Sequence, residues 1–169
     1  MAKYAVVRTD NMAGTDVRNM LVSVKYMGAD GSTPTAIENG NILKIGALVT
    51  GEREIYVGGA VAKDSKLSDV VLIASPEVMY DEHKHNLDEF INEAKSICRG
   101  YKLHSGDVFG VTAEALSGTG TPAVGNIIEL AAGTKLAFVA TATTGSTAVG
   151  KVIAVEKAGR YTYYVIKVD

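Results

Sequence analysis

The chain has 169 residues, about one domain's worth, and its 47% hydrophobic fraction supplies a core and excludes a wholly disordered protein. Seventeen Lys and Arg stand against nineteen Asp and Glu, for a net charge of −2 with no basic run, which argues against a nucleic-acid binder and against docking on an anionic membrane. The single cysteine, Cys98, excludes an internal disulfide framework and a multi-cysteine zinc site.

No window of about 18 apolar residues exists, so no membrane-spanning helix is expected. The first residues carry no apolar stretch of the secretory type, and the expectation is a soluble protein made in a reducing cytoplasm.

Most of the chain reads as short strands. Residues 4–8 are a first candidate. Over 17–26, Met20, Val22, Val24 and Tyr26 alternate with Asn19, Leu21, Ser23 and Lys25, the period of a half-buried strand. Turn chemistry makes 28–35 a loop, and Asn39-Gly40 is a strong turn dipeptide. Residues 42–49 and 54–57 follow as strands. The apolar run 70–74 is that of a strand buried on both faces.

Residues 87–99 break the pattern. Leu87, Phe90, Ile91, Ala94, Ile97 and Cys98 fall at spacings of three and four, which predicts an amphipathic helix. Asn86 and Glu89 form a capping-box pattern, Asp88 and Glu89 sit in the first turn, Arg99 in the last, and Gly100 is placed to end it.

Strands resume at 107–112, 126–130, 135–142, 151–156 and 161–168, the last two as a hairpin. The predicted fold is a mainly β (α+β) domain, an antiparallel sandwich or barrel with the 87–99 helix packed on it. Two small β lobes, 1–80 and 101–169, would flank that helix. A weak echo supports the lobes: Gly40-Asn41-Ile42-Leu43-Lys44-Ile45 matches Gly125-Asn126-Ile127-Ile128-Glu129-Leu130 in residue type, except that Lys44 faces Glu129 with opposite charge.

Candidate chemistry is sparse. His83 and His85 would share a strand face, and His104 could join them as a third imidazole holding zinc or iron; the bland reading of 81–85 is a solvated charged loop. Cys98 falls on the apolar stripe and reads as packing rather than as a nucleophile. The carboxylate pairs Glu52/Glu54 and Asp81/Glu82 have the character of surface charge, and the glycine-rich 117–122 lacks the ending of a phosphate-binding loop. No enzyme signature and no cofactor requirement emerge. At the C-terminus, Tyr164, Ile166 and Val168 face one side of a strand and Tyr161 and Tyr163 the other. If only the first set is core, Tyr161 and Tyr163 are interface candidates; if both sides are covered, they are core.

The order of segments carries a resemblance. Lys3-Tyr4-Ala5-Val6-Val7-Arg8-Thr9-Asp10 leads to Leu21-Val22-Ser23-Val24-Lys25-Tyr26 and then to Ile37-Glu38-Asn39-Gly40-Asn41-Ile42. Val71-Leu72-Ile73-Ala74-Ser75-Pro76-Glu77-Val78-Met79-Tyr80 precedes Asn86-Leu87-Asp88-Glu89-Phe90, and Gly133-Thr134-Lys135-Leu136 and Val152-Ile153-Ala154-Val155-Glu156 close the series. Over nearly its whole length this resembles small structural proteins of tailed bacteriophages and prophages of Gram-positive hosts, encoded beside the major capsid protein.

The resemblance implies a non-enzymatic virion protein, most like a capsid decoration protein that binds the outside of the expanded head. Its partner would be the phage major capsid protein. It would act on the virion surface after synthesis in the host cytoplasm, and a homo-oligomer is expected, a cyclic trimer being one form that suits shell symmetry axes. A tail-tube subunit or head fibre is the alternative within the virion, and a metal- or ligand-binding β domain using His83, His85 and His104 the alternative of another class.

Overall fold

The computed structural model describes residues 3–169. In chain order they form β1 (Val7–Asn11), the single helical turn α1 (Ala13–Asp16), β2 (Leu21–Tyr26), β3 (Ile42–Leu48), β4 (Ile55–Gly59), β5 (Val70–Ile73), β6 (Cys98–Lys102), β7 (Val108–Val111), β8 (Leu116–Ser117), β9 (Ile127–Leu130), β10 (Leu136–Val139), β11 (Ala148–Ala158) and β12 (Tyr161–Val168). The mainly β expectation is met. β2-β4-β3-β5-β6 close into a five-stranded barrel, and β1-β7-β12-β11-β9-β10-β8 form a seven-stranded sheet. The barrel thus draws on residues 21–102, whereas the sheet takes β1 from the chain start and everything from β7 onward.

Period-two patterning explains how the two layers meet. Val24, Leu43, Val71, Ile73 and Cys98 point into the barrel, joined by Ile37 and the partly buried Val22, Tyr26 and Ile45. The opposite phase, Ile42, Val70, Leu72 and Tyr101, packs in a larger core with Phe109, Ile128, Leu130, Leu136, Tyr164 and Ile166 of the sheet. β5 therefore serves both cores, and all four of its side chains are fully buried. At about 1.5–3 kcal/mol for each fully buried aliphatic side chain, this shared core joins the two layers into one body.

Five strands enclose little volume, and glycine makes the barrel fit. A Cβ on Gly58 would lie 2.5 Å from Val24 Cγ1 and 2.8 Å from Leu43 Cδ1.

The predicted helix over 87–99 is overturned. One 3-10 turn, Leu87–Glu89, forms, and the chain then runs irregularly until Cys98 opens β6. The start signal is real but local: the Glu89 carboxylate accepts the Asn86 N–H at 2.8 Å, as a capping box requires. Tertiary pairing ends the helix there. Asn92 forms an isolated bridge with Ile37, its Nδ2 donates to Ile37 O and Asn39 Oδ1, and Lys95 takes a positive φ of 74°. β6 is needed between β2 and β5 to close the barrel, and an isolated helix of this length is marginal in water.

The sequence echo has a structural counterpart. Gly40 and Gly125 both take positive φ, 83° and 90°, as each chain enters a strand. The Gly40 N–H donates to Ile73 O while the Ile73 N–H donates to Asn41 O. The Gly125 N–H donates to Val152 O while the Val152 N–H donates to Asn126 O, the same reciprocal pair.

Candidate interaction surface

Between β5 and β6 the chain makes a long excursion over residues 74–97, with the 3-10 turn as its regular piece. Long stretches of this kind in a packed domain are commonly functional. Backbone groups without ladder partners need other ones, and here buried side chains provide them. Asn39 Nδ2 donates to Ser75 O at 2.8 Å and to Glu77 Oε1 at 3.0 Å, and the Ser75 N–H donates to Asn39 Oδ1. The Arg99 N–H donates to Ser75 Oγ.

Asp88, 2% exposed, holds the middle of the excursion. Its carboxylate accepts Tyr161 Oη–H at 2.7 Å and the Lys3 N–H at 3.1 Å, and Arg160 lies 3.3 Å away. Burial disfavours ionisation, but the Tyr161 and Lys3 hydrogen bonds and the Arg160 charge outweigh it and hold the carboxyl below its usual range. Glu89 is likewise held low, by hydrogen bonds from the backbone N–H groups of Asn86 and His85.

Tethered in this way, the excursion turns apolar side chains outward. Tyr80 is 94% exposed, Val78 57% and Leu87 42%. Beside them lies a groove of about 160 Å³, with Met79, Phe90 and Ile91 half-buried in its wall and Asp81, Lys84, Glu89 and Glu93 around it. Singly exposed apolar residues are ordinary; with Ile97, 55% exposed, this one excursion carries four, two of them lining an apolar groove, which makes it a candidate contact surface.

The residues singled out from sequence fall elsewhere or play other parts. His83 and His85 are exposed on the excursion, whereas His104 is on the β6–β7 connection with Nδ1 3.3 Å from Lys102 O. Among the described residues no group of three or more His, Cys, Asp or Glu side chains converges on one point.

Tyr163 is 3% exposed, beneath the Arg8 guanidinium at 4.3 Å from the ring centroid. Tyr161 is half-buried, edge-on to Tyr163 at 6.2 Å, with its hydroxyl committed to Asp88. Of the two alternatives for Tyr161 and Tyr163, exposed contact or covered face, the structure has the covered one, with Tyr163 buried and Tyr161 half-buried. Cys98 is buried in the barrel, and desolvation pushes its thiol up to about 11. Glu52, Glu54, Asp81 and Glu82 are exposed, and Gly118 to Thr121 form an exposed loop end.

Sequence reading missed Val78, Met79 and Tyr80. Their signal was an apolar triplet after Pro76 that fits neither strand nor helix period, directly behind a fully buried strand. Comparison with known proteins returns no match among protein-family models, curated proteins or solved structures.

Proposed function

We propose that the protein is a virion structural component of a tailed bacteriophage, a capsid decoration protein that binds the outer surface of the expanded head. The ordered series of segments resembling that family suggests the class. The observation that carries the reading onto this fold is Tyr80, 94% exposed with Val78 and Leu87 on a stretch anchored to the body at its two ends, at Ser75 and Glu77 by Asn39 and at Asp88 by Tyr161. Such a surface offers a protein partner apolar side chains on a stretch whose two ends are already fixed, which removes part of the ordering cost of docking.

In this reading each copy touches the capsid through the 76–97 excursion. Many modest contacts, repeated on a lattice, add up to strong retention through effective concentration. The test is co-sedimentation with empty, expanded shells of the major capsid protein encoded beside it. Saturable binding at a fixed ratio to capsid subunits supports decoration. Absence of binding to shells shown intact by microscopy overturns it, and self-assembly into tubes redirects the assignment to a tail-tube subunit.

A further inference from the structure

We propose that the groove beside Tyr80 receives one arginine or lysine side chain of the partner protein, its aliphatic stem on the apolar wall and its cationic head at the acidic rim. This rests on the reading of residues 76–97 as the docking face.

The groove sets two demands at once. Its wall is apolar, with Val78, Met79, Phe90 and Ile91. Its rim carries three carboxylates, Asp81, Glu89 and Glu93, against one ammonium, Lys84. A purely apolar side chain would cover the wall while stripping water from the carboxylate oxygens that lack a protein donor, with no charge to replace it. An acidic one would meet like charge, and a short polar one would leave the wall wet. Arginine and lysine meet both demands, since their stems pack on apolar surface while the head reaches the polar edge.

Two details sharpen the match. Glu89 is fixed in place: its Oε2 accepts the His85 N–H at 2.9 Å, the Asn86 N–H at 2.8 Å and Asn86 Nδ2–H at 3.1 Å. A charge immobilised before binding costs no ordering when the cation arrives. The Tyr80 ring also stands clear of the body at the groove, where a guanidinium or ammonium can lie over its face.

The test is a titration of the full chain, followed by ¹⁵N NMR, with N-acetyl-arginine amide, N-acetyl-lysine amide and, as the neutral isostere, N-acetyl-norleucine amide. The two cationic probes are expected to shift the amides of Tyr80, Phe90 and Ile91 saturably, and norleucine amide not to. Raising salt from about 0.05 M to about 0.3 M should weaken the effect. Glu93→Gln, an exposed position whose replacement leaves the fold intact, should weaken binding about two- to fivefold, the worth of one exposed ion pair. Equal shifts from the norleucine probe overturn the proposal, as does the absence of shifts from both cations.

Shell binding separates this inference from the reading beneath it. Weaker binding by Asp81→Asn/Glu93→Gln supports the groove as the docking point. Unchanged binding by that variant overturns the groove and leaves decoration standing. Failure of the unmodified chain to bind shells overturns decoration, and the titration then decides the groove on its own.

Discussion

Arg8 and Glu156, 148 positions apart in sequence, meet at 2.6 Å across the seven-stranded sheet. The guanidinium starts on β1, passes Gly110 on β7, lies over the Tyr163 ring on β12 and ends at Glu156 on β11. One side chain thereby spans four strands and covers an aromatic ring. Both ends are partly exposed, at 31% and 50%, so screening reduces the ion pair to a fraction of its contact value. Adding the cation–π contact, Arg8→Ala should cost about 1 kcal/mol. Arg8→Lys should recover less than half of that, because an ammonium neither stacks nor forks. Urea unfolding of the three proteins checks this; an Arg8→Ala midpoint equal to that of the parent would show that the span contributes nothing.

Asp88 makes the fold acid-sensitive. Folding lowers its pKa, so the linked stability is fully present above the unfolded value, about 3.9, and is lost as pH falls through the lower folded value. Melting temperatures should therefore drop as pH falls below about 4. Asp88→Asn should be less stable at neutral pH and lose less over that window. Parallel curves for the two proteins would remove Asp88 as the responsible group. Asp88→Ala, which leaves Tyr161 and the Lys3 amide unpaired, should cost about 1–3 kcal/mol.

The strands were legible because each core demands one phase of an alternating pattern. Val22, Val24 and Tyr26 fall inside the barrel as their spacing requires, and the apolar run at Val70–Ile73 is apolar throughout because β5 faces two cores. The segment before β6 was misread because Phe90, Ile91, Ala94, Ile97 and Cys98 also satisfy a helical period. What decides the matter lies far off in sequence: Asn92 pairs with Ile37, and Cys98 with Val24 across β2. The candidate surface was hidden for the same reason. Whether Tyr80 is core or exposed depends on where Asn39 and Tyr161 anchor the excursion, which no local window contains.

Cys98 should behave as a buried hydrophobe. The residue is 3% exposed and its thiol is raised to about 11 by desolvation, so at pH 8 almost none is thiolate. Iodoacetamide should modify the native protein far more slowly than a free thiol and reach full modification in denaturant. Rapid native-state alkylation would mean that the β2–β6 seam opens readily, since Cys98 pairs there with Val24.

The barrel interior should reject volume at Gly58. A methyl group there would press on Val24 and Leu43, which are both fully buried. Gly58→Ala should destabilise by about 1–3 kcal/mol, the usual range for overpacking, and Gly58→Val by more. Gly59, the next residue on the same strand, has open space where its Cβ would stand, so Gly59→Ala should change stability much less. Equal losses at the two positions would assign the effect to backbone freedom rather than to the filled interior.

Tyr80 separates docking from folding. Its ring is 94% exposed, so Tyr80→Ser should leave the melting temperature within the small range usual for surface changes. If the excursion meets the capsid, the same substitution removes an aromatic anchor beside an apolar groove, the type of residue that dominates binding energy. Adding Val78→Ser should deepen the loss without unfolding the chain, because Val78 is also more than half exposed. Affinity for expanded shells should then fall about tenfold or more, about 1.4 kcal/mol per decade. Undiminished binding by a folded Val78→Ser/Tyr80→Ser protein would place the capsid contact on another face, and the exposed Ile153 and Val155 of β11 would be the next positions to change.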